Sequence, residues 1–280
     1  MAKKALLVGI NRYRIPGADL RGCVNDVKNV RAVLTTHYGF ASKDITTLTD
    51  YAATTKAMRD AITKLVKGAK SGDVLLFHYS GHGANVPDKD GDEADRRDEI
   101  LCPTDLDWKD PLLDDWLRKT FDRLPAGASL TVIMDCCHSG TNTRAILPPD
   151  APVIPRYLPN PWDLAAAESG RRLRGTVKGS LRRSTPARRK QDIVATSIPE
   201  LLVTGCRDTQ TSADAEIGSS FNGALTYNLV ATINAARGKL TYRELHGGTV
   251  KRLRRDGFSQ VPQLEGRAPR FDRPFLAPIA

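Results

Sequence analysis

The 280-residue sequence predicts an α/β fold, with a mainly parallel central sheet of about six strands and helices on both faces. Short continuous apolar runs, typical of strands buried on both sides, alternate along the chain with segments whose apolar residues recur at helical spacing. The length and a hydrophobic content of 40% suffice for one large core, or for two small domains at most. Sheets of this kind bind ligands at the carboxyl ends of their strands.

The elements follow in a regular order. Ala5–Ile10 is an unbroken apolar run, so we predict the first strand there. A helix follows over residues 24–38, because Val27, Val30 and Val33 are three apart and Gly39 is a typical stop signal. By the same criteria, further strands are predicted at 45–48, 74–79, 130–134 and 201–204, and further helices at 54–67, 112–124, 224–236 and 242–254.

The cysteine content and the apolar runs indicate a compartment. Five cysteines, an odd number that includes the adjacent Cys136 and Cys137, do not suit a disulfide framework and favour reducing conditions. The run near the start of the chain is too short for a membrane span or for the core of a signal peptide. We therefore predict a cytoplasmic protein with no membrane partner.

The net charge of +10 comes almost entirely from one segment. Residues 171–190 contain nine Lys and Arg and no acidic residue, and without these nine, 33 basic residues face 32 acidic ones. Clustered arginines can neutralise phosphates, but no aromatic residues alternate with this cluster as in many nucleic-acid sites. A nucleic-acid partner is therefore not expected.

Two polar motifs follow directly after two predicted strands. Ser80-Gly-His-Gly83 comes after the third apolar strand, and Asp135-Cys-Cys-His-Ser-Gly140 after the fourth. Both should lie at one edge of the sheet, where an imidazole can activate a thiol. Glycines beside both groups allow a substrate backbone to approach and leave N–H groups free for an oxyanion. Together the motifs favour a hydrolase over a structural role for either residue alone.

The pairing of His-Tyr-Ser-Gly-His-Gly with Asp-Cys-Cys-His-Ser-Gly about fifty residues later resembles the caspase and metacaspase signature. The resemblance extends over Lys4–Asn11, Leu20–Asp26, the acidic loop and Leu201–Leu229. It implies a caspase-like fold and a cysteine endopeptidase of metacaspase type.

Matched by position, the resemblance makes Cys137 the nucleophile and His82 its base. The backbone N–H groups of Gly83 and Cys137 would form the oxyanion hole. Cys136 is interpreted as a small interior residue, and His78 as a core or supporting residue. A zinc site at Cys136, Cys137 and His138 is not expected, because three consecutive side chains converge poorly on one metal.

The resemblance also implies cleavage after Arg or Lys. Asp26 and Asp135 match the acidic positions of the metacaspase specificity pocket, with Cys23 and Ser80 as wall residues. Paired carboxylates provide both affinity and selectivity for a buried cation. The alternative interpretations are a helix N-terminal carboxylate for Asp26 and a strand-end cap for Asp135.

Calcium is expected as an activator at most, because the Cys-His chemistry needs no cofactor. The calcium site of relatives corresponds to Asp98, Asp114 and Asp115. A further aspartate expected just after the nucleophile is absent, and Arg144 stands near its position. A solvated acidic loop with no bound metal is the equal alternative.

Three regions are predicted along the chain: 1–145 as the large-subunit region with the dyad, 146–198 as a basic linker, and 199–280 as the small-subunit region completing the same fold. Seven prolines between 148 and 186 argue against regular structure in the linker. We expect a zymogen activated by cutting this linker, through self-cleavage or an upstream protease. The processing candidates are Arg172, Arg174, Arg183, Arg189 and Lys190.

The expected partners are protein or peptide substrates with exposed Arg or Lys, and the resemblance implies a monomer. The alternative function is a catalytically silent caspase-like scaffold that binds partners without cutting them. A nucleotide-binding α/β protein is disfavoured, because no glycine-rich phosphate motif follows the first strand.

Overall fold

A computed structural model describes residues 1–87, 97–137, 152–165, 192–207 and 210–279. Its centre is a seven-stranded sheet, one strand more than the predicted six or so. From one edge to the other, its strands are β2 (Ile45–Thr49), β1 (Lys3–Gly9), β3 (Val74–Ser80), β7 (Ser129–Asp135), β10 (Leu201–Thr204), β13 (Gln263–Gly266) and β9 (Ile193–Ala195). Five neighbouring strands are parallel, and β13 runs antiparallel to β10.

Outside the central sheet, the described residues form five longer helices, several short helical turns and two small antiparallel sheets. The helices are α1 (Cys23–His37), α2 (Thr55–Lys67), α3 (Asp114–Phe121), α4 (Ala224–Ala235) and α5 (Tyr242–Arg255). One small sheet joins β4 (Gly83–Pro87), β5 (Arg97–Leu101) and β6 (Leu112–Leu113). The other joins β12 (Ser220–Gly223), β11 (Ala213–Ile217) and β8 (Val153–Pro155).

Successive residues of the central strands pack against opposite helical layers. Leu6 and Val8 of β1 belong to a core cluster with Met58 and Ile62 of α2. Leu7, between them, faces the second cluster, which α1, α4 and α5 cover. Because strand side chains alternate between faces, an apolar run is what a strand covered on both sides requires. The predicted α/β class with helices on both faces is confirmed.

Two helices begin at threonines that satisfy free backbone donors. The Thr54 hydroxyl accepts a hydrogen bond from the N–H of Ala57 at the start of α2. Thr241 and Glu244 form a reciprocal capping box at the start of α5. Such caps contribute about 1 kcal/mol each to helix stability.

Strand register brings the two polar motifs together. β3 pairs with β7 so that Ser80 lies opposite Asp135, at the carboxyl ends of both strands. His82 and Cys137 each follow two residues later, so they leave the sheet at the same edge. No helix in the described ranges is long and apolar enough to cross a membrane.

The predicted linker is partly structured. The expectation of no regular structure is wrong at 152–165, which contains β8 and a helical turn at 161–165, and at 193–195, which forms β9. β8 pairs with β11, and β9 extends the central sheet beside β13. Pairing with strands distant in the chain overrides the local effect of the prolines here, since Pro155 ends β8 and Pro161 begins the helical turn.

Candidate active site

His82 is buried, and one of its two ring nitrogens forms a hydrogen bond to the backbone. Its Nε2 lies 2.8 Å from the carbonyl oxygen of Ala18, so Nε2 carries the proton as donor. The Nδ1 atom has no hydrogen-bond partner among the described residues. Burial lowers the pKa of His82 to about 4, partly opposed by the Ala18 contact. The ring is therefore neutral at pH 7, with the lone pair of Nδ1 available to accept a proton.

Two tyrosines fix the backbone around His82. The His82 N–H donates to the Tyr13 hydroxyl at 2.8 Å, and the Tyr79 hydroxyl donates to the His82 carbonyl at 2.7 Å. A Cβ at Gly81 would lie 2.6 Å from the Tyr79 hydroxyl, so only glycine fits this close approach. The imidazole is thus oriented from its backbone as well as from Nε2.

Cys137 is 1% exposed, and burial raises the pKa of its thiol well above the usual value. Its Sγ lies 3.3 Å from the Sγ of Cys206. The N–H of Ser212 donates to the same sulfur, an interaction that favours the thiolate. The thiol therefore lies beside a donor that can stabilise its ionised form, within an otherwise desolvated site.

Three carboxylates converge on the guanidinium of Arg156, whose side chain is fully buried. One guanidinium nitrogen, Nη2, lies 2.8 Å from Asp26 and 3.0 Å from Asp214. The second terminal nitrogen, Nη1, lies 3.2 Å from Asp135 and donates to the Ser80 hydroxyl at 2.7 Å. The predicted pocket residues Asp26, Asp135 and Ser80 are thus together, around an arginine of the chain itself.

Backbone and hydroxyl donors hold the carboxylates in place. The Ser80 hydroxyl and the Gly223 N–H donate to Asp26 at 2.7 and 3.0 Å. Thr226 donates to Asp135 through its N–H at 2.9 Å and its hydroxyl at 2.8 Å. Burial raises the pKa of Asp26 to about 7, against the opposing effect of Arg156. Because burial favours the neutral acid, it is the cation at the centre that favours the ionised carboxylates of this pocket.

Further residues complete the pocket wall. Asp214 accepts hydrogen bonds from the N–H groups of Arg21 and Gly22, which precede α1. Cys23, predicted as a wall residue, is fully buried at the start of α1, one turn before Asp26. His78 lies behind the pocket, with Nε2 3.2 Å from the Thr226 hydroxyl, in agreement with a supporting role.

The backbone of Arg156 is bound as closely as its side chain. Its carbonyl oxygen accepts hydrogen bonds from the N–H groups of Gly83 at 3.0 Å and Cys137 at 3.1 Å. These are the two donors predicted for the oxyanion hole. The Arg156 N–H donates to the carbonyl of Ser212 at 2.9 Å. The segment thus adds an antiparallel strand to β11, with the Arg156 carbonyl beside the buried thiol.

The predicted calcium residues do not come together. Among the described residues, no group of three or more His, Cys, Asp or Glu side chains is placed to hold a metal ion. Asp115 pairs with Lys119 at 2.8 Å and Asp114 with Arg118 at 3.5 Å, each one turn along α3. Asp98 lies on β5. The described residues alone form no metal-binding group, and calcium activation stays a prediction.

Several predicted residues lie outside the described ranges. They include most of the acidic loop, His138, Arg144 and every processing candidate, namely Arg172, Arg174, Arg183, Arg189 and Lys190.

Sequence reasoning missed Arg156, Asp214 and Ser212. One signal could have identified Arg156: it is the only basic residue between Arg144 and Arg171, within the apolar run Val-Ile-Pro-Arg-Tyr-Leu. No comparable signal marks Asp214 or Ser212, which follow no apolar strand. Their roles depend on a small sheet that the sequence did not predict.

A family model and several curated proteins match this chain, and they agree on one family. The family model described as the metacaspase, peptidase C14 domain matches residues 3–145. Metacaspase-1 of Meyerozyma guilliermondii is 34% identical, with 95% of this chain and 70% of the relative aligned. Metacaspase-1 of Cryptococcus neoformans is 35% identical, over 95% of this chain and 63% of the relative.

Two solved structures share the architecture. A Geobacter sulfurreducens protein of known crystal structure is 28% identical, with a TM-score of 0.68 over the full length of both chains. Caspase-1 from Spodoptera frugiperda is 14% identical with a TM-score of 0.58, covering 95% of this chain and 90% of that chain. The second likeness is one of fold, and it agrees with the predicted caspase-like sheet.

Proposed function

This chain belongs to the metacaspase family of cysteine peptidases, and from that premise we propose that it cuts peptide bonds after Arg or Lys with a Cys137–His82 dyad. The single observation that carries the specificity is the buried Arg156. Its guanidinium contacts three carboxylates while its carbonyl oxygen accepts two backbone N–H bonds. This is how a substrate residue on the acyl side of the cut bond must be held.

The proposed reaction begins with the sulfur of Cys137. His82 accepts the thiol proton at Nδ1, which is available because Nε2 is committed to Ala18. The thiolate attacks the carbonyl carbon of the substrate, and the N–H groups of Gly83 and Cys137 stabilise the resulting oxyanion. His82 then donates the proton to the leaving amine. Water hydrolyses the thioester, with His82 as the base, and restores the thiol.

The pocket favours a cation for electrostatic reasons. Asp26, Asp135 and Asp214 are all buried, so an empty or neutral-filled pocket would leave their charge unbalanced. An aspartate side chain there would add a fourth carboxylate. The geometry around Nη1 and Nη2 suits the planar fork of arginine, and lysine can contact fewer of the acceptors at once. We therefore expect arginine to be the preferred residue.

The test is hydrolysis of matched fluorogenic peptides that end in Arg, Lys or Asp. We expect turnover with Arg, slower turnover with Lys and at least about 100-fold less with Asp, the difference expected from an unpaired buried charge of about 3 kcal/mol or more. Cys137→Ala and His82→Ala should abolish turnover while circular dichroism shows an unchanged fold.

Two results would overturn the proposal. Efficient cleavage after Asp would contradict the assignment of the pocket. Absence of turnover with every peptide, with calcium, with a chelator and after limited proteolysis of the 146–198 region, would instead establish the silent scaffold.

A further inference from the structure

We propose that the Arg156–Tyr157 peptide bond is the processing site of this chain, and that each molecule cuts this bond in its own active site. The inference rests on the proposed peptidase function and adds the identity of its first substrate. It differs from the sequence-based candidates in the basic segment, because Arg156 lies before that segment, in a run that is mostly apolar.

The segment before the bond is bound as an extended substrate. Val153, Ile154 and Pro155 form β8 and pair antiparallel with Ala215, Asp214 and Ala213 of β11. The N–H of Arg156 continues this ladder to Ser212 at 2.9 Å. Strand addition of this kind binds a peptide backbone regardless of its sequence, while the pockets select the side chains. Arg156 is the residue whose side chain enters the acidic pocket.

The segment after the bond is held as well. The Leu158 N–H donates to the Gly83 carbonyl at 2.9 Å, on the same residue whose N–H binds the Arg156 carbonyl. Farther along, the Asn160 amide donates to the Asn85 carbonyl at 3.1 Å. Arg97 pairs with Asp163 through both terminal guanidinium nitrogens, Nη1 and Nη2, at 2.9 Å each. Anchors on both sides therefore hold the Arg156–Tyr157 bond across the catalytic cleft.

Burial of Arg156 indicates cleavage within one molecule. The Arg156 side chain has no exposed surface, and its backbone N–H and carbonyl are both bonded inside the cleft. A second molecule cannot reach this bond while the segment is docked. The docked segment also fills the pocket that an external arginine would need, so the uncut chain is blocked toward other substrates.

The chemical step is balanced within the chain and water. The Cys137 sulfur bonds to the Arg156 carbonyl carbon as the bond from that carbon to the Tyr157 nitrogen breaks. The thiol proton passes through His82 Nδ1 to the Tyr157 nitrogen, which becomes a new amino terminus. Water then adds its oxygen to the Arg156 carbonyl carbon as the bond from that carbon to the Cys137 sulfur breaks, and one water proton passes through His82 to the sulfur while the other leaves with the new carboxyl group. The products are fragments 1–156 and 157–280.

The experiment follows cleavage of purified full-length chain by intact-mass spectrometry. Wild type should yield fragments that end at Arg156 and begin at Tyr157, and Cys137→Ala should stay whole. Arg156→Gln should stay uncut at this bond, whereas Arg156→Lys should restore the cut at about a tenth of the wild-type rate or faster. Arg254→Gln, at an exposed arginine of α5, is the matched control and should be cut as wild type is.

Dilution tests whether the cut occurs within one molecule. The half-time of wild-type cleavage should be unchanged over a 100-fold range of protein concentration. Added active enzyme should leave the Cys137→Ala chain whole at Arg156. A half-time that lengthens in proportion to dilution would overturn the intramolecular cut.

A peptide assay separates failure of this inference from failure of the proposed function. If wild type hydrolyses an external Arg peptide but its Arg156–Tyr157 bond stays intact, or if the first cut falls within 171–190, the processing site is overturned and the peptidase function stands. If the chain stays uncut and the peptide stays uncut as well, with calcium and after limited proteolysis of the 146–198 region has removed the docked segment, both are overturned. Loss of cleavage in Arg156→Gln counts only when its circular dichroism and thermal transition show a folded protein, and restoration by Arg156→Lys supplies the independent check.

Discussion

Two groups of aspartates in this chain have the same side chains and opposite surroundings. Asp26, Asp135 and Asp214 are fully buried, come from three distant parts of the sequence and face one guanidinium. Asp114 and Asp115 are adjacent on α3, with about a third of each side chain exposed, and each pairs with a basic residue one turn away. The carboxylates of the first group surround one cation, whereas each carboxylate of the second group is neutralised by a basic residue on the same helix.

The contrast shows which acidic residues can select a ligand. A carboxylate in water is satisfied without a partner, so the surface pairs contribute little to binding or stability. A buried carboxylate needs a cation or several donors, and three of them around one point create a strong preference for a positive side chain. Convergence and burial therefore matter more than the number of acidic residues in a segment.

The largest effect is expected from neutralising one member of the buried group. Asp135→Asn removes the charge that faces Nη1 of Arg156 and disturbs the donors of Thr226. Breaking a buried pair costs about 3–5 kcal/mol, so we expect kcat/KM for an Arg peptide to fall by at least about 100-fold. The measurement is the steady-state kcat/KM of Asp135→Asn, and Asp115→Asn, measured in the same way, is the control. Equal effects of the two substitutions would remove the distinction between the groups.

The buried histidine should make stability depend on pH. The pKa of His82 is about 4 in the folded chain and about 6.5 when unfolded. Between these values the unfolded chain binds the proton and the folded chain does not, so the contribution of His82 to stability is complete above pH 6.5 and is lost as the pH falls to 4. The slope reaches about 1.4 kcal/mol per pH unit, or about 3 kcal/mol over the window.

Other groups titrate in the same pH range, so the effect of His82 has to be measured as the difference in stability between two variants. Burial lowers the pKa of His78 to about 4 as well, while that of Asp26 is raised to about 7 and acts in the opposite direction. Urea unfolding of Cys137→Ala and of Cys137→Ala with His82→Ala, compared from pH 7 to 4, isolates His82. The stability difference between the two should change by about 3 kcal/mol, and a constant difference would contradict the burial of a neutral imidazole.

A methyl group at the pocket wall should have a slightly smaller effect. A Cβ added at Gly223 would collide with Asp135 and with the guanidinium of Arg156. Overpacking costs about 1–3 kcal/mol, so Gly223→Ala should lower kcat/KM for Arg peptides by about 10-fold to 100-fold. Gly247→Ala is the matched control, because nothing lies within 4 Å of its Cβ. Full activity in Gly223→Ala would show that the pocket does not receive the substrate side chain.

The sequence allowed prediction of the part of this site that lies at strand ends. Strands covered on both faces need continuous apolar runs, so β3 and β7 were recognisable and the residues after them, His82 and Cys137, could be assigned to one edge. Strand and helix boundaries agree with the prediction within about three residues. The small antiparallel sheets were missed because their strands are short and partly polar, as Arg97–Leu101 is.

The same limitation explains why the prediction missed Asp214 and Arg156. Asp214 lies on β11 and Arg156 directly follows β8, and these two strands pair across more than fifty residues of sequence. A local pattern carries no information on such pairing, and prolines near Arg156 argued for a structureless linker. The reason that a single arginine is bound there is the charge of the three carboxylates, which come together only in the folded structure.

The smallest effect is expected at the surface pair, where it tests calcium control. Asp115 and Lys119 form an exposed pair one turn apart, worth about 0.3–0.5 kcal/mol, so Asp115→Asn should change the free energy of unfolding by less than about 1 kcal/mol. Peptidase activity with calcium and with a chelator should match wild type in both conditions. If Asp115→Asn instead abolished a calcium response of wild type, Asp115 would act with ligands beyond the described residues, and local pairing would no longer distinguish it from the buried group.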